Sequence, residues 1–65
     1  MASLGENIRH IRKVNNLTQQ QFGEILGFAT RTISDWEINR NEPSIATIKL
    51  ICKKFNVSYD EILDY

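Results

Sequence analysis

Three serine- or threonine-led pairs in this chain, Ser3-Glu6, Thr18-Gln21 and Ser58-Glu61, place a glutamate or glutamine three positions after the hydroxyl and next to a stop or at the chain's start. At that spacing the hydroxyl accepts from the third helical N–H, and the longer side chain accepts from the N–H of the capping residue. Each pair therefore marks where a helix begins. Leu17 with Phe22 and Val57 with Ile62 flank two of these boxes at the spacing of a hydrophobic staple. The stops are as legible: Asn15-Asn16, Gly27, Asn39 and Asn56 are residues that tolerate the left-handed backbone closing a helix. Pro43-Ser44 opens a further helix. Between Gly27 and Asn39 lies a helix whose start carries Phe28 and Ile33 as a staple around Ala29, a poor cap, with Thr30 expected to share the capping. The punctuation predicts a compact all-α domain of five short helices spanning residues 1–65, with no repeat or linker.

The apolar residues fit that reading. Leu4, Ile8 and Ile11 form a stripe on the first helix, Phe22, Leu26, Phe28, Ile33 and Trp36 an inner surface on the next two, and Ile45, Ile48, Cys52 and Phe55 a stripe on the fourth. A 65-residue chain has little core to spare, so its helix ends and turns must favour the fold as well. One cysteine makes no internal disulfide, and one histidine beside it makes no structural zinc site, so neither metal nor cofactor is expected. Cys52 reads as a small hydrophobe in a reducing compartment. No apolar run approaches the ~20 residues that span a bilayer, and the N-terminus lacks a basic stretch followed by an apolar one, so a cytoplasmic location is expected. The formal net charge of zero does not by itself favour a polyanionic partner. Residues 1–40 hold five Lys/Arg against four Asp/Glu, whereas the last six residues hold three acids and no base.

The second and third helices, within about residues 18–38, are joined by only a few residues including Gly27, which is the build of a helix-turn-helix. A joint so tight crosses the helices closely, and Gly23, unfavourable in a helix interior, is expected at the crossing. The segment Leu17–Ser44, with Thr18-Gln19, Gly23, Gly27, Ile33-Ser34, Trp36-Glu37 and Pro43-Ser44, resembles the helix-turn-helix of the phage repressor and Cro-type family. The likeness extends through Phe55-Asn56-Val57-Ser58 to Asp60-Glu61-Ile62-Leu63 and so covers essentially the whole chain. It departs at three places: Ala29 stands for the usual Ser/Thr cap, Asn39 for the usual glycine and Ile38 for a polar residue. The resemblance implies a lambda-repressor-like fold, binding to double-stranded DNA and a role as a transcriptional regulator.

With Ile33 and Trp36 inward, helical geometry turns Arg31, Asp35 and Ile38 outward, flanked by Thr30 and Ser34. Residues near the start of the second helix of such a unit meet base edges in the major groove. Arg31 can donate two hydrogen bonds to guanine, Thr30 can offer a hydroxyl or a methyl, and Asp35 can accept from cytosine or hold Arg31. The plainer alternative is a solvated Arg31–Asp35 pair. Gln19 lies at the first turn of helix two, where a phosphate is favoured, and the resemblance gives it a DNA contact. Arg40 and Asn41 are loop candidates for phosphate or simply loop polar residues. The resemblance also implies a structural ion pair between Arg12 and Glu37, while Arg9, His10 and Lys13 read as a solvated face.

A domain of this length covers one half-site, so a homodimer on a palindromic operator is expected, with Ile25, Leu50, Leu63 and Tyr65 as candidate self-association residues or ordinary exposed apolar ones. The competing function on the same fold is an antitoxin-like or protein-interaction module. Catalysis is not expected, since the sequence offers no nucleophile–base pair or phosphate loop.

Overall fold

The computed structural model describes residues 2–63 as five helices: α1 Leu4–Val14, α2 Gln19–Leu26, α3 Thr30–Glu37, α4 Ile45–Phe55 and α5 Tyr59–Leu63. The three boxes form as read. Ser3 accepts from Glu6 N, Thr18 from Gln21 N and Ser58 from Glu61 N, and each partner side chain accepts in return from the capping residue's own N–H. Ser44 caps α4 through Thr47 N at 3.1 Å. At the stops, Asn16, Asn39 and Asn56 adopt φ of 57°, 60° and 54°, and Gly27 adopts 86°.

The start of α3 differs from expectation. Ala29 occupies the cap with extended backbone, and no side chain caps the helix; Thr30 already lies inside the first turn and takes no share. This end is anchored by packing instead, with half-buried Phe28 meeting Trp36 edge-on at a ring-centroid distance of 4.9 Å.

The core runs through every helix: Leu4, Ile8 and Ile11 of α1, Phe22 and Leu26 of α2, Ile33 and Trp36 of α3, Ile48 and Ile51 of α4, and Ile62 of α5. The stripe expected on α4 is displaced. Ile45 is 72% exposed, and Ile51, fully buried, takes its place in a face shared with Thr47 and Ile48. Ile45 is the first residue of the helix and lies to the side of that face, whereas Ile51 lies within it. Phe55 completes the face by stacking on Phe22, with centroids 5.0 Å apart. Leu50 is also corrected, since it packs against the core instead of standing as a surplus surface residue. Ile25 and Leu63 are exposed, and Tyr65 lies outside the described residues. Cys52 is half-buried against the core, and desolvation by burial pushes its thiol above the ordinary pKa, which disfavours the reactive thiolate.

α3 packs on α2 and α1, and α5 closes the bundle against α1 and α4. Asn7 Nδ2 donates to Ile62 O at 3.0 Å across the α1–α5 contact. The α2–α3 crossing is as tight as Gly23 suggests: a Cβ there would lie 2.4 Å from Phe28 O and 3.3 Å from Ile33 Cγ1. The carbonyl of Gly23 accepts from both Gly27 N and Phe28 N, at 2.7 and 2.8 Å, so the residue that permits the close approach also ties down the turn.

Gly23→Ala should therefore destabilise the fold by about 1–3 kcal/mol through overpacking against backbone. At an ordinary helix position the same change would stabilise by up to ~1 kcal/mol. Urea unfolding followed by the fluorescence of Trp36 measures the difference, and a variant as stable as the parent would show that the crossing has room for a methyl group.

Candidate nucleic-acid interface

The site is organised around a carboxylate. Glu37 is the last residue of α3, and its side chain is only 4% exposed. Arg12 of α1 meets it with two hydrogen bonds, Nε to Oε2 at 2.6 Å and Nη2 to Oε1 at 3.0 Å. This parallel geometry is the strongest a guanidinium can offer a carboxylate. The hydrogen bond to Glu37 raises the Arg12 pKa above its ordinary value, outweighing the opposing effect of burial. The third arm of the guanidinium, Nη1, donates to Leu17 O at 2.9 Å, just before the Thr18 cap. Gln19 Nε2 donates to Glu37 Oε1 at 3.2 Å. One buried acid thus connects α1, the end of α3 and the start of α2. Gln19 is half-buried with its amide turned toward Glu37, not free as an isolated first-turn residue would be.

The outward side of α3 presents Thr30, Arg31 and Ile38 as exposed residues, with Ile38 at 61%, while Ser34 and Asp35 are half-buried. Asp35 does not hold Arg31. Its carbonyl accepts from Arg40 N and Asn41 N, at 2.9 and 3.4 Å, and its carboxylate from Asn41 Nδ2 at 3.5 Å. Asp35 therefore shapes the loop after the helix. Among the described residues the Arg31 guanidinium has no hydrogen-bond or ion-pair partner. Arg40 and Asn41 are both exposed, so the loop sets a second cation near the end of α3.

Two groups escaped the sequence reading. Gly5 was assigned no role, yet a Cβ there would lie 2.4 Å from Trp36 O and 2.7 Å from Glu37 O, so α1 abuts the last turn of α3. The side chain of Asn39, read only as a helix stop, accepts from Gly5 N at 3.0 Å and donates to Ser3 Oγ at 2.9 Å. The one available signal was that an asparagine stands where the resembling family carries glycine. Among the described residues no group of three or more His, Cys, Asp or Glu could hold a metal ion. No described helix is long and apolar enough to cross a membrane.

A helix-turn-helix family model matches residues 8–62. The chain belongs to the phage repressor and Cro-type helix-turn-helix family. Family relatives include the antitoxin PezA of Streptococcus pneumoniae, 40% identical over 92% of this chain. The transcriptional activator BcrR of Enterococcus faecalis is 38% identical over 89% of it. The control protein C.SmaI of Serratia marcescens is 33% identical over 92%. The chain spans 38% of the antitoxin's length, 28% of the activator's and 71% of the control protein's. Among solved family structures, the P22 c2 repressor in complex with a synthetic operator superposes with a TM-score of 0.87 and 30% identity, covering 97% of this chain and 96% of the repressor chain.

The buried pair generates a stability test. Glu37→Gln strands the charge of Arg12, whose side chain is only 11% exposed, and should cost about 3 kcal/mol in chemical denaturation. Replacing both partners, Arg12→Met with Glu37→Leu, should recover part of that loss because no lone charge then remains buried. If the single and the double variant lose equally, the carboxylate contributes through its shape and not its charge.

Proposed function

We propose that this domain is a sequence-specific reader of double-stranded DNA and acts as a transcriptional regulator, as a repressor at a palindromic operator. The observation that carries this reading is the exposed Arg31 guanidinium near the start of α3, without a partner among the described residues, on the outward side of a helix whose opposite side is locked by Ile33 and Trp36. The superposition on an operator-bound repressor supports it. Arg31 pairs with guanine O6 and N7, and Thr30 and Ser34 lie beside it for hydroxyl or methyl contacts with neighbouring bases. Asp35 keeps one carboxylate oxygen available to a cytosine amine, and Ile38 offers an apolar surface at the far end of the helix. Gln19 meets a phosphate at the start of α2, where the helix dipole favours negative charge, and Arg40 and Asn41 meet phosphate from the loop.

With extents of 24 × 24 × 22 Å, one chain spans one half-site. Two copies bound ~34 Å apart read both halves, which makes the working unit a homodimer on DNA. The whole of residues 1–65 serves as a single reading domain, in the cytoplasm and without catalysis of its own.

A second reading, a partner-binding module of the antitoxin kind, is favoured by the 40% identity to PezA and by the net charge of zero. A salt titration on a pool of random duplexes separates the two. Enrichment of particular sequences, with log K falling against log salt, supports the DNA reader; no enrichment at low salt rejects it. In the same assay Arg31→Ala should relax preference at one base-pair position, losing about 1–3 kcal/mol of discrimination there. Gln19→Ala should weaken all duplexes alike. Base profiles and affinities identical to the parent in both variants would show that a different surface makes the contacts.

A further inference from the structure

Three asparagines take the left-handed conformation in this chain, and they are not equivalent. Among the described residues the side chains of Asn16 and Asn56 make no hydrogen bond to another element, so at those positions the residue serves as a helix stop. Asn39 makes two, both to the N-terminal turn of α1. Glycine at this position would satisfy the backbone and supply neither bond.

We propose that Asn39 is a positioning residue for DNA reading: its side chain pins the exit of α3 to the start of α1 and thereby fixes the rotation of the outward face that carries Arg31. This role rests on the DNA-reading function above. The Oδ1 of Asn39 satisfies Gly5 N, one of the first-turn donors that a helix leaves without an internal partner. Its Nδ2 reaches Ser3 Oγ, the oxygen that also caps α1. The contact is close because Gly5 has no side chain, and it sets the positive end of α1 against the terminal carbonyls of α3. Glu37, two residues earlier, is held by Arg12 from farther along α1.

α3 is consequently attached to α1 at two separate points, beside residues 3–5 and at residue 12. Core packing of Ile33 and Trp36 sets the coarse rotation of α3, and a second polar attachment narrows the play that a single one would leave. With side chains a helix is ~10–12 Å across, so a turn of about 15° moves a side-chain tip by more than ~1 Å. A displacement of that size spoils a bidentate contact to guanine while leaving flexible phosphate contacts usable.

The test uses the full chain, a duplex enriched from the random pool and a scrambled duplex, at one salt concentration and at a temperature where circular dichroism shows every protein folded. Asn39→Gly keeps the left-handed backbone. It should reduce affinity for the enriched duplex by about threefold to tenfold, the loss expected of one or two hydrogen bonds. Affinity for the scrambled duplex should stay at the parent value, and the Gly5 amide should lose protection from hydrogen exchange. Asn39→Asp restores an acceptor for Gly5 N. Its added charge weakens both duplexes alike, but the ratio of affinities and the Gly5 protection should return toward the parent. If Asn39→Gly preserves the parent's ratio, or lowers it while Gly5 stays protected, the positioning role is wrong. If the parent enriches no sequence, the DNA-reading function fails first and this role falls with it.

Discussion

A carboxylate with almost none of its side chain in water remains charged only where partners replace its hydration, and Glu37 has three donors directed at its two oxygens. Remove any element that brings those donors and the acid becomes a liability, because an unpaired buried charge costs several kcal/mol. The geometry of the helix-turn-helix follows from this requirement. Arg12 has to stand on α1 opposite the end of α3, Leu17 has to present its carbonyl to the same guanidinium, and Gln19 has to begin α2 within reach. Close packing at Gly23 and between Phe28 and Trp36 sets how the helices cross. The charge network adds directional fastening to the inward packing of Ile33 and Trp36, and the two together leave Arg31 on the outward side.

The same economy governs the α2–α3 joint. Gly23 allows the backbones to touch, its carbonyl takes two donors from the turn, and Phe28 then lies where it can meet Trp36. The aromatic pair anchors the start of α3 by packing and leaves its first-turn amides without the acceptor that a capping hydroxyl gives elsewhere in the chain. Ala29 therefore leaves the first turn of α3 without a side-chain partner, while the rest of the helix is fastened from below by Ile33 and Trp36. A helix anchored by its inner face and its far end, with its near end open, is suited to presenting its first residues to something else.

How much of this was legible in the sequence depended on the range of the interaction. Helix starts and stops are written within four residues, so the boxes at Ser3, Thr18 and Ser58 and the stops at Gly27, Asn39 and Asn56 could be read directly. Burial on α4 was misread because Ile45 and Ile51 are both apolar at helical spacing from Ile48, and only the neighbouring helices decide which one faces inward. The expected hold of Asp35 on Arg31 failed for the converse reason. Local spacing favours that pair, but the loop after α3 turns back onto the Asp35 carbonyl and brings the Asn41 side chain to its carboxylate. Gly5 and the side chain of Asn39 were invisible because their partners lie 31 to 36 residues away in sequence, beyond any local pattern.

Neutrality bears on how such a reader must work. Binding to the phosphate backbone draws its strength from released counterions, and a chain with eight basic and eight acidic residues has a modest supply of that driving force. One of its arginines, Arg12, is already committed to Glu37. A single copy would therefore hold random DNA weakly, and in the function proposed above affinity comes from well-aligned base contacts and from two copies engaging two half-sites at once. Both demands point back to rigidity, because a reading face that wobbles loses the bidentate contact before it loses any charge. In a basic domain slack orientation is masked by electrostatic attraction. In this neutral one, on the proposed reading, the fastenings at Glu37 and Asn39 govern how much of the contact surface is realised.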